Sequence, residues 1–424
     1  MQEHKSTKTW KAVAIAAICI LLIESFFLMG TMSKKQQEGA AQQAAVQQAA
    51  AEQSAAAGTE TAKAADSAET TAADGGIAAA DENKDIAKQL SLWTENAEPA
   101  KQLTDYVETV TREGSPDFIP VENRIAVFDL DGTLCSETNP IYFDHSLLLQ
   151  RVLEDPEYKD KATDTEKEVA VQILQWIQDG KYPSTMDIDH GKAIASSFAG
   201  MTIREFVDYV RNYRNQPAPG YSGMTRGESF YRPMMEVLEY LEANGFTSYI
   251  VSGTDRLIVR GLVEDNDLIH IPAEHVIGSD ETLVARGQED KDGLHYVYTD
   301  RDDLILGGEF IIKNLKMNKV AVIAQEIGKQ PVLSFGNSTG DSSMAEYTIT
   351  KNPYKSLAFM LCCDDTEREY GNVEKADKMR ALCEEFHWIP VSMKDDWKTI
   401  YGDGVTRTPD KGFEVIEDEI RRYK

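Results

Sequence analysis

Two carboxylates placed two residues apart, Asp129 and Asp131, close the apolar run AVF (126–128) and lead into Gly132 and Thr133. Charged side chains are rarely buried without compensation, so a strand that ends in two aspartates implies a cation, a reaction partner or both. Two more polar, glycine-containing turns lie downstream. VSGT (251–254) carries Ser252 and Gly253, and FGNSTGDSS (335–343) carries Asn337 and Asp341. Between them Lys319 opens a helical pattern, so the set holds acids, amide and hydroxyl groups and one cationic partner.

The elements that must position these residues follow from hydrophobic periodicity. Apolar runs at 126–128, 246–251 (FTSYIV), 331–335 (PVLSF) and 357–361 read as strands. Amphipathic helices are expected over about 85–112 with a break near Glu98-Pro99, then over 166–177, 203–213, 233–244, 254–265 and 319–327. The short runs HVIG, LVARG, HYVYTD and EFIIKN read as strand-like. Alternating strands and helices predict an α/β fold built on a doubly wound parallel sheet. In such a sheet ligands bind beyond the carboxyl ends of the strands, so the three turns and Lys319 converge on one crevice.

In this order, DxDGT, hhhSGT, a helix-opening lysine and GNxxxDxSM, the residues resemble the four motifs of the haloacid dehalogenase superfamily of phosphotransferases over roughly residues 86–400. GNSTGDSSM looks most like the phosphoserine-phosphatase-like branch, and the long helical insertion between the first two motifs is similar to that branch's cap domain. The resemblance implies a Rossmann-like core at 86–140 and 232–424 and a mainly helical cap at 141–231.

It also implies roles. Asp129 is the expected nucleophile, forming an aspartyl phosphate that water hydrolyses, and Asp131 the expected acid and base for the leaving oxygen and the water. Gly132 admits close backbone approach, and it and Thr133 cradle phosphate oxygens with their N–H groups. Ser252 and the Gly253 N–H are expected to donate to the phosphoryl oxygens, with Lys319 neutralising Asp129 and the phosphate. Mg²⁺ is the expected cofactor, held through Asp129, Asp131, Asn337 and Asp341. Asn337 departs from the family pattern, which has an acid there, so the metal meets less negative charge and is expected to bind more weakly. The acid at 131 excludes a dehalogenase, and the product class is a phosphomonoesterase for a small phosphorylated metabolite, phosphoserine-like or phosphocholine-like. A different class stays open, a weakened binding protein displayed at the surface, with Asn337 as its first sign.

Composition bounds the partners. Asp plus Glu number 71 against 44 Lys plus Arg, a net charge of -27, which repels nucleic acid. The five cysteines (Cys19, Cys135, Cys362, Cys363, Cys383) show no disulfide framework and are expected as buried thiols. Residues 1–35 hold Lys5, Lys8 and Lys11 and then an apolar run from Ala12 to Met32, long enough for a signal anchor. Residues 36–85, rich in Ala and Gln, read as a disordered linker. Together they predict a single-pass protein of the cell membrane with an extracytoplasmic catalytic domain. Tyr142, Phe143, Tyr209, Tyr213, Tyr221, Phe230 and Tyr231 offer aromatic faces for a quaternary ammonium, or simply core packing. The segment CCDDTEREYG (362–371) resembles a motif of extracytoplasmic superfamily members, and its charges are expected to pair at the surface.

Overall fold

The computed structural model describes residues 90–137 and 141–409. The expected anchor and linker lie outside the described residues. Among the described residues no helix is long and apolar enough to cross a membrane.

A seven-stranded sheet forms the centre, built from β1 (Ile125–Phe128), β3 (Thr247–Asp255), β4 (Val276–Ala285), β5 (Leu304–Ile312), β6 (Leu333–Gly336), β7 (Leu357–Cys362) and β8 (Ile389–Ser392). The order across it is β5-β4-β3-β1-β6-β7-β8, parallel except for the antiparallel edge strand β5. A separate antiparallel ribbon pairs β2 (Tyr221–Ser222) with β9 (Thr406–Arg407). β1 is fully buried along its length, which explains why it reads as an unbroken apolar run rather than an alternating one. It lies between β3 and β6, and the chain winds away from it first to one side and then to the other. That reversal opens a crevice at the ends of β1 and β6, where Asp129 and Asn337 follow.

Helix α1 (Glu98–Thr111) begins with Pro99 in its first turn, where the missing N–H costs nothing. The expected helix over 85–112 therefore starts at the residue read as its break. Between β1 and β3 come α2 (Phe143–Leu149), α3 (Asp164–Asp179), α4 (Met186–Ser197), α5 (Ile203–Arg214) and α6 (Arg232–Ala243). Capping boxes, Thr163 with Glu166 and Thr202 with Glu205, start α3 and α5. The remaining helices are α7 (Arg256–Val263), α8 (Met317–Val322), which runs on into a π-helical turn (Ile323–Ile327), α9 (Ser342–Ile349) and α10 (Val373–Phe386).

Three local expectations are corrected. HYVYTD forms no strand: Tyr296 and Thr299 fold back on Asp302, and Val297 is exposed. HVIG and LVARG are not separate strands but the start and end of β4. The charges of 362–371 do not pair at the surface. Asp364, Asp365 and Glu369 are buried, Asp364 bonded to Arg380, Asp365 to Arg368, and Glu369 to the hydroxyls of Tyr221 and Tyr401. Of the described cysteines, Cys135, Cys362 and Cys383 are buried and Cys363 is partly so, all as free thiols.

One buried pair has a measurable consequence. Asp255 caps α7, its Oδ1 accepting from the N–H groups of Leu257 and Ile258, and it shares a hydrogen bond with Glu281 of β4. Burial, then the charge of Asp255, pushes the Glu281 carboxyl up to about 11. The folded protein thus keeps a proton that the unfolded chain releases near the ordinary glutamate value, and stability falls as pH rises through that window. Glu281→Gln, which cannot lose the proton, is expected to melt within a degree or so of wild type near pH 5 and about 2–4 °C higher at pH 9. Scanning calorimetry at the two pH values checks it.

Candidate active site

Asp129 is placed by the sheet itself. Its N–H donates to Phe335 O across β1 and β6 at 2.9 Å. Its side chain meets Lys319, whose Nζ lies 2.6 Å from Asp129 Oδ1 and 2.7 Å from Asp341 Oδ1 with no solvent exposure. A lysine wholly removed from water needs both acids to remain charged, and the three groups form one buried network. Lys313 and Lys316, close to it in the sequence, make no such pair. Asp341 Oδ2 accepts from the N–H groups of Asn337 and Ser338 and from the Ser338 hydroxyl. Both Asp341 oxygens are therefore engaged in fixing Lys319 and the third turn.

Asp131, Thr254 and Asp144 form a second chain of contacts. Thr254 Oγ1 donates to Asp131 Oδ2 at 2.7 Å and stands 3.4 Å from Asp144 Oδ2. Burial, then the neighbouring Asp144 and Asp129, pushes the Asp131 carboxyl well above the usual carboxylate range and so favours its protonated form. Asp129 is pushed up to about 7 by burial and Asp341, against the pull of Lys319. For Asp144, burial opposes ionisation, but the imidazoles of His190 and His145 hold it below the usual carboxylate range.

A cavity of about 170 Å³ opens over these groups. Of the expected site residues it is lined by Asp129, Asp131, Gly253, Asn337 and Asp341, and besides them by Glu137, Tyr142, Asp144, His145, Tyr182, Asp187, Thr254, Lys313, Leu315 and Ser338. Lys319 sits behind Asp129 rather than in the wall. Gly132 has φ +80°, and a Cβ there would overlap the Asn337 amide, so glycine serves both the turn and the approach of the third loop. Thr133 is buried, its hydroxyl 3.4 Å from Asp129 Oδ2. Ser252 is also fully buried and off the cavity, its hydroxyl accepting from the Thr254 N–H at 3.0 Å. In this arrangement Gly253 and Thr254, not the Ser252 side chain, face the site. Of the seven aromatic residues weighed for a cage, Tyr142 alone lines the cavity, joined by Tyr182, which that reading missed.

Oxygen donors gather where a hard cation would sit: the Asp129 carboxylate, the Asp131 segment and the Asn337 amide. Such a set fits Mg²⁺, which takes oxygen ligands and keeps several waters. Asn337→Asp adds a carboxylate at this point. It is expected to lower the Mg²⁺ concentration for half-maximal turnover on the order of tenfold, read from a magnesium titration of the rate.

The family model of the haloacid dehalogenase-like hydrolases matches residues 126–346, just over half of the chain. The chain belongs to the haloacid dehalogenase-like hydrolase family. As a member of that family it is a hydrolase, and the match runs from β1 into α9, from the first motif to the last. No curated protein matches the sequence. Among solved structures it is similar to a conserved protein of unknown function from Anaerococcus prevotii (14% identity, TM-score 0.43, covering 73% of this chain and 97% of that one). It is also similar to cytosolic 5'-nucleotidase IIIB bound to cytidine (12%, 0.41, 77% and 93%) and to a phosphoserine phosphohydrolase-like protein from Francisella tularensis (13%, 0.32, 60% and 92%).

Proposed function

We propose that this hydrolase is a Mg²⁺-dependent phosphomonoesterase acting on a small phosphorylated metabolite through an aspartyl phosphate on Asp129. The observation that carries the reading is the buried Lys319 bridging Asp129 and Asp341 beneath a cavity whose wall holds Asp131, hydrogen-bonded to Thr254. Asp129, locked by Lys319 and the sheet, points one carboxylate oxygen toward phosphorus. As the phosphorus–oxygen bond of the ester breaks, Asp131 gives its proton to the departing oxygen, and it later takes one from the water that cleaves the acyl phosphate. Thr254 fixes the orientation of Asp131, and Gly253 lines the cavity, where its N–H would serve the phosphoryl oxygens. Bound Mg²⁺ would offset the phosphoryl charge and favour ionised Asp129.

The cavity wall bears on the substrate. Glu137, Asp144 and Asp187 face it beside Tyr142 and Tyr182, with Lys313 as the cation in the wall and Lys375 paired with Glu137 at 2.6 Å. Carboxylates and aromatic faces favour a leaving group that carries positive charge, such as an amino alcohol, over one that brings further phosphates. The reading also includes the membrane placement. The apolar run at 12–32 after three lysines supports a single-pass anchor with the catalytic part outside the cytoplasmic membrane.

The test is a screen of the protein with Mg²⁺ against phosphomonoesters: amino-alcohol phosphates, phosphoserine, nucleoside monophosphates, sugar phosphates and an aryl phosphate. Release of phosphate from the amino-alcohol esters above the rest supports the full reading. Turnover spread evenly over the panel keeps the phosphatase and removes the cationic leaving group. No hydrolysis of any ester, with phosphorylated ligands still raising the melting temperature, would replace it with the weakened binding protein.

A further inference from the structure

A second, smaller cavity of about 30 Å³ has Ile141, Phe143, Ala218 and Met224 in its apolar wall and Ser136 and Arg226 among its polar residues. It shares no lining residue with the main cavity, although Ser136 and Phe143 are the chain neighbours of Glu137 and Tyr142, which line that one. Arg226 Nε and Ser136 Oγ are both shut off from water and have no hydrogen-bond partner among the described residues. The Arg226 guanidinium lies over the Tyr213 ring, 4.6 Å from its centroid, and its side chain donates only one long hydrogen bond, from Nη1 to Ser146 Oγ at 3.4 Å. Other arginines drawn into the interior are matched. Arg151 pairs with Asp155, Arg256 with Asp280 and Glu326, and Arg214 donates to a row of backbone carbonyls. A guanidinium carries five N–H donors and keeps its charge. In a chain with 71 acids, one that none of the described carboxylates reaches marks a place for an anion from outside.

We propose that this cavity is a binding site for a short aliphatic monocarboxylate, of acetate or propionate size, with its carboxylate on Arg226 and Ser136 and its alkyl end against Ile141, Phe143, Ala218 and Met224. The fork of a guanidinium matches the two oxygens of a carboxylate, and such charge-assisted bonds are the strong ones. Ser136 adds a neutral hydroxyl donor, its own N–H being spent on Ser229 O at 3.0 Å. The other two hydroxyls of the wall are committed elsewhere, Ser229 to Arg226 O at 2.8 Å and Tyr221 to Glu369. A mostly apolar wall with a few placed polar groups is the usual make-up of a small-molecule site. About 30 Å³ is room for roughly two or three water-sized groups, too little for a sugar or a nucleoside. Inorganic phosphate fits poorly, because it sets two charges against one arginine and turns its remaining oxygens toward apolar carbons.

Propionate is the probe, added to the full-length protein without Mg²⁺ and followed by saturation-transfer NMR. Its methyl and methylene protons are expected to receive saturation, with a Kd on the order of 1 mM for so small a ligand. Arg226→Gln is expected to weaken binding roughly tenfold or more, while Asp129→Asn, which alters only the main cavity, leaves it unchanged. Absence of transfer in the wild type, undiminished affinity in Arg226→Gln, or loss of binding in Asp129→Asn would overturn the site. A second measurement needs no variant. The fluorine line of trifluoroacetate is expected to broaden on the wild-type protein and to sharpen when propionate displaces it. Equal displacement by inorganic phosphate would refute a carboxylate site. None of these readouts depends on turnover or on Mg²⁺, so the outcome is separate from that of the phosphatase reading.

Discussion

Asp129→Asn is expected to lower phosphate release by at least about 10³-fold on every ester while the protein stays folded. The amide cannot form the acyl phosphate, and no other side chain in the cavity is placed at the end of β1 with an oxygen backed by a lysine. The substitution preserves shape and leaves Lys319 its contact with Asp341, so the circular dichroism spectrum should match wild type. Quench-flow of the wild type should trap phosphate on the protein, and the asparagine variant should trap none. Asp131→Asn makes a telling contrast. A group that only protonates the leaving oxygen matters less when that oxygen leaves readily, so the loss should be much larger for an alkyl phosphate than for an aryl phosphate. Equal losses on both esters would assign Asp131 a different role. If Asp129→Asn retained turnover, another residue would carry the chemistry.

The parts of this site that were legible in the sequence are those that lie at strand ends. β1 is buried on both faces, so its apolar run stops abruptly at Asp129, and β6 does the same before Asn337. Lys319 was legible because it falls in the first turn of α8. The Thr254, Asp144 and His190 contacts were not, since they join residues 110 and 46 positions apart through the packing of α2, α4 and the end of β3, and no local pattern encodes which buried histidine meets which acid. Ser252 shows the limit of motif reading. The residue type fits a phosphate donor, but the strand continues through Thr254 to Asp255 and turns the serine hydroxyl onto its own backbone. The segment 362–371 misled for the opposite reason. Its charge density suggests solvent, yet each buried acid finds a specific arginine or tyrosine, so the charges serve the interior.

Lys319→Met is expected to be the most destabilising single change in the site. Methionine fills much of the same space, so the cost is electrostatic rather than a cavity. Asp129 and Asp341 are left buried with nothing between them, and stranding a buried charge costs about 3–5 kcal/mol, a melting temperature lower by on the order of 10 °C. The pH dependence separates this from simple misfitting. Burial and Asp341 already push Asp129 up to about 7 while Lys319 pulls it down, and without the lysine its proton is held to higher pH still. A carboxyl whose folded pKa is raised supplies stability below its unfolded value and loses it as pH rises through the folded one. The gap between wild type and Lys319→Met should therefore be small near pH 5 and widen toward pH 8. The double variant Lys319→Met/Asp341→Asn should recover part of the loss at pH 8, because one of the two opposed charges is gone and the remaining acid no longer repels its neighbour. Calorimetry of the three proteins at both pH values reads the result. A deficit independent of pH, or no recovery in the double variant, would mean that Lys319 acts by packing and not by balancing the two acids.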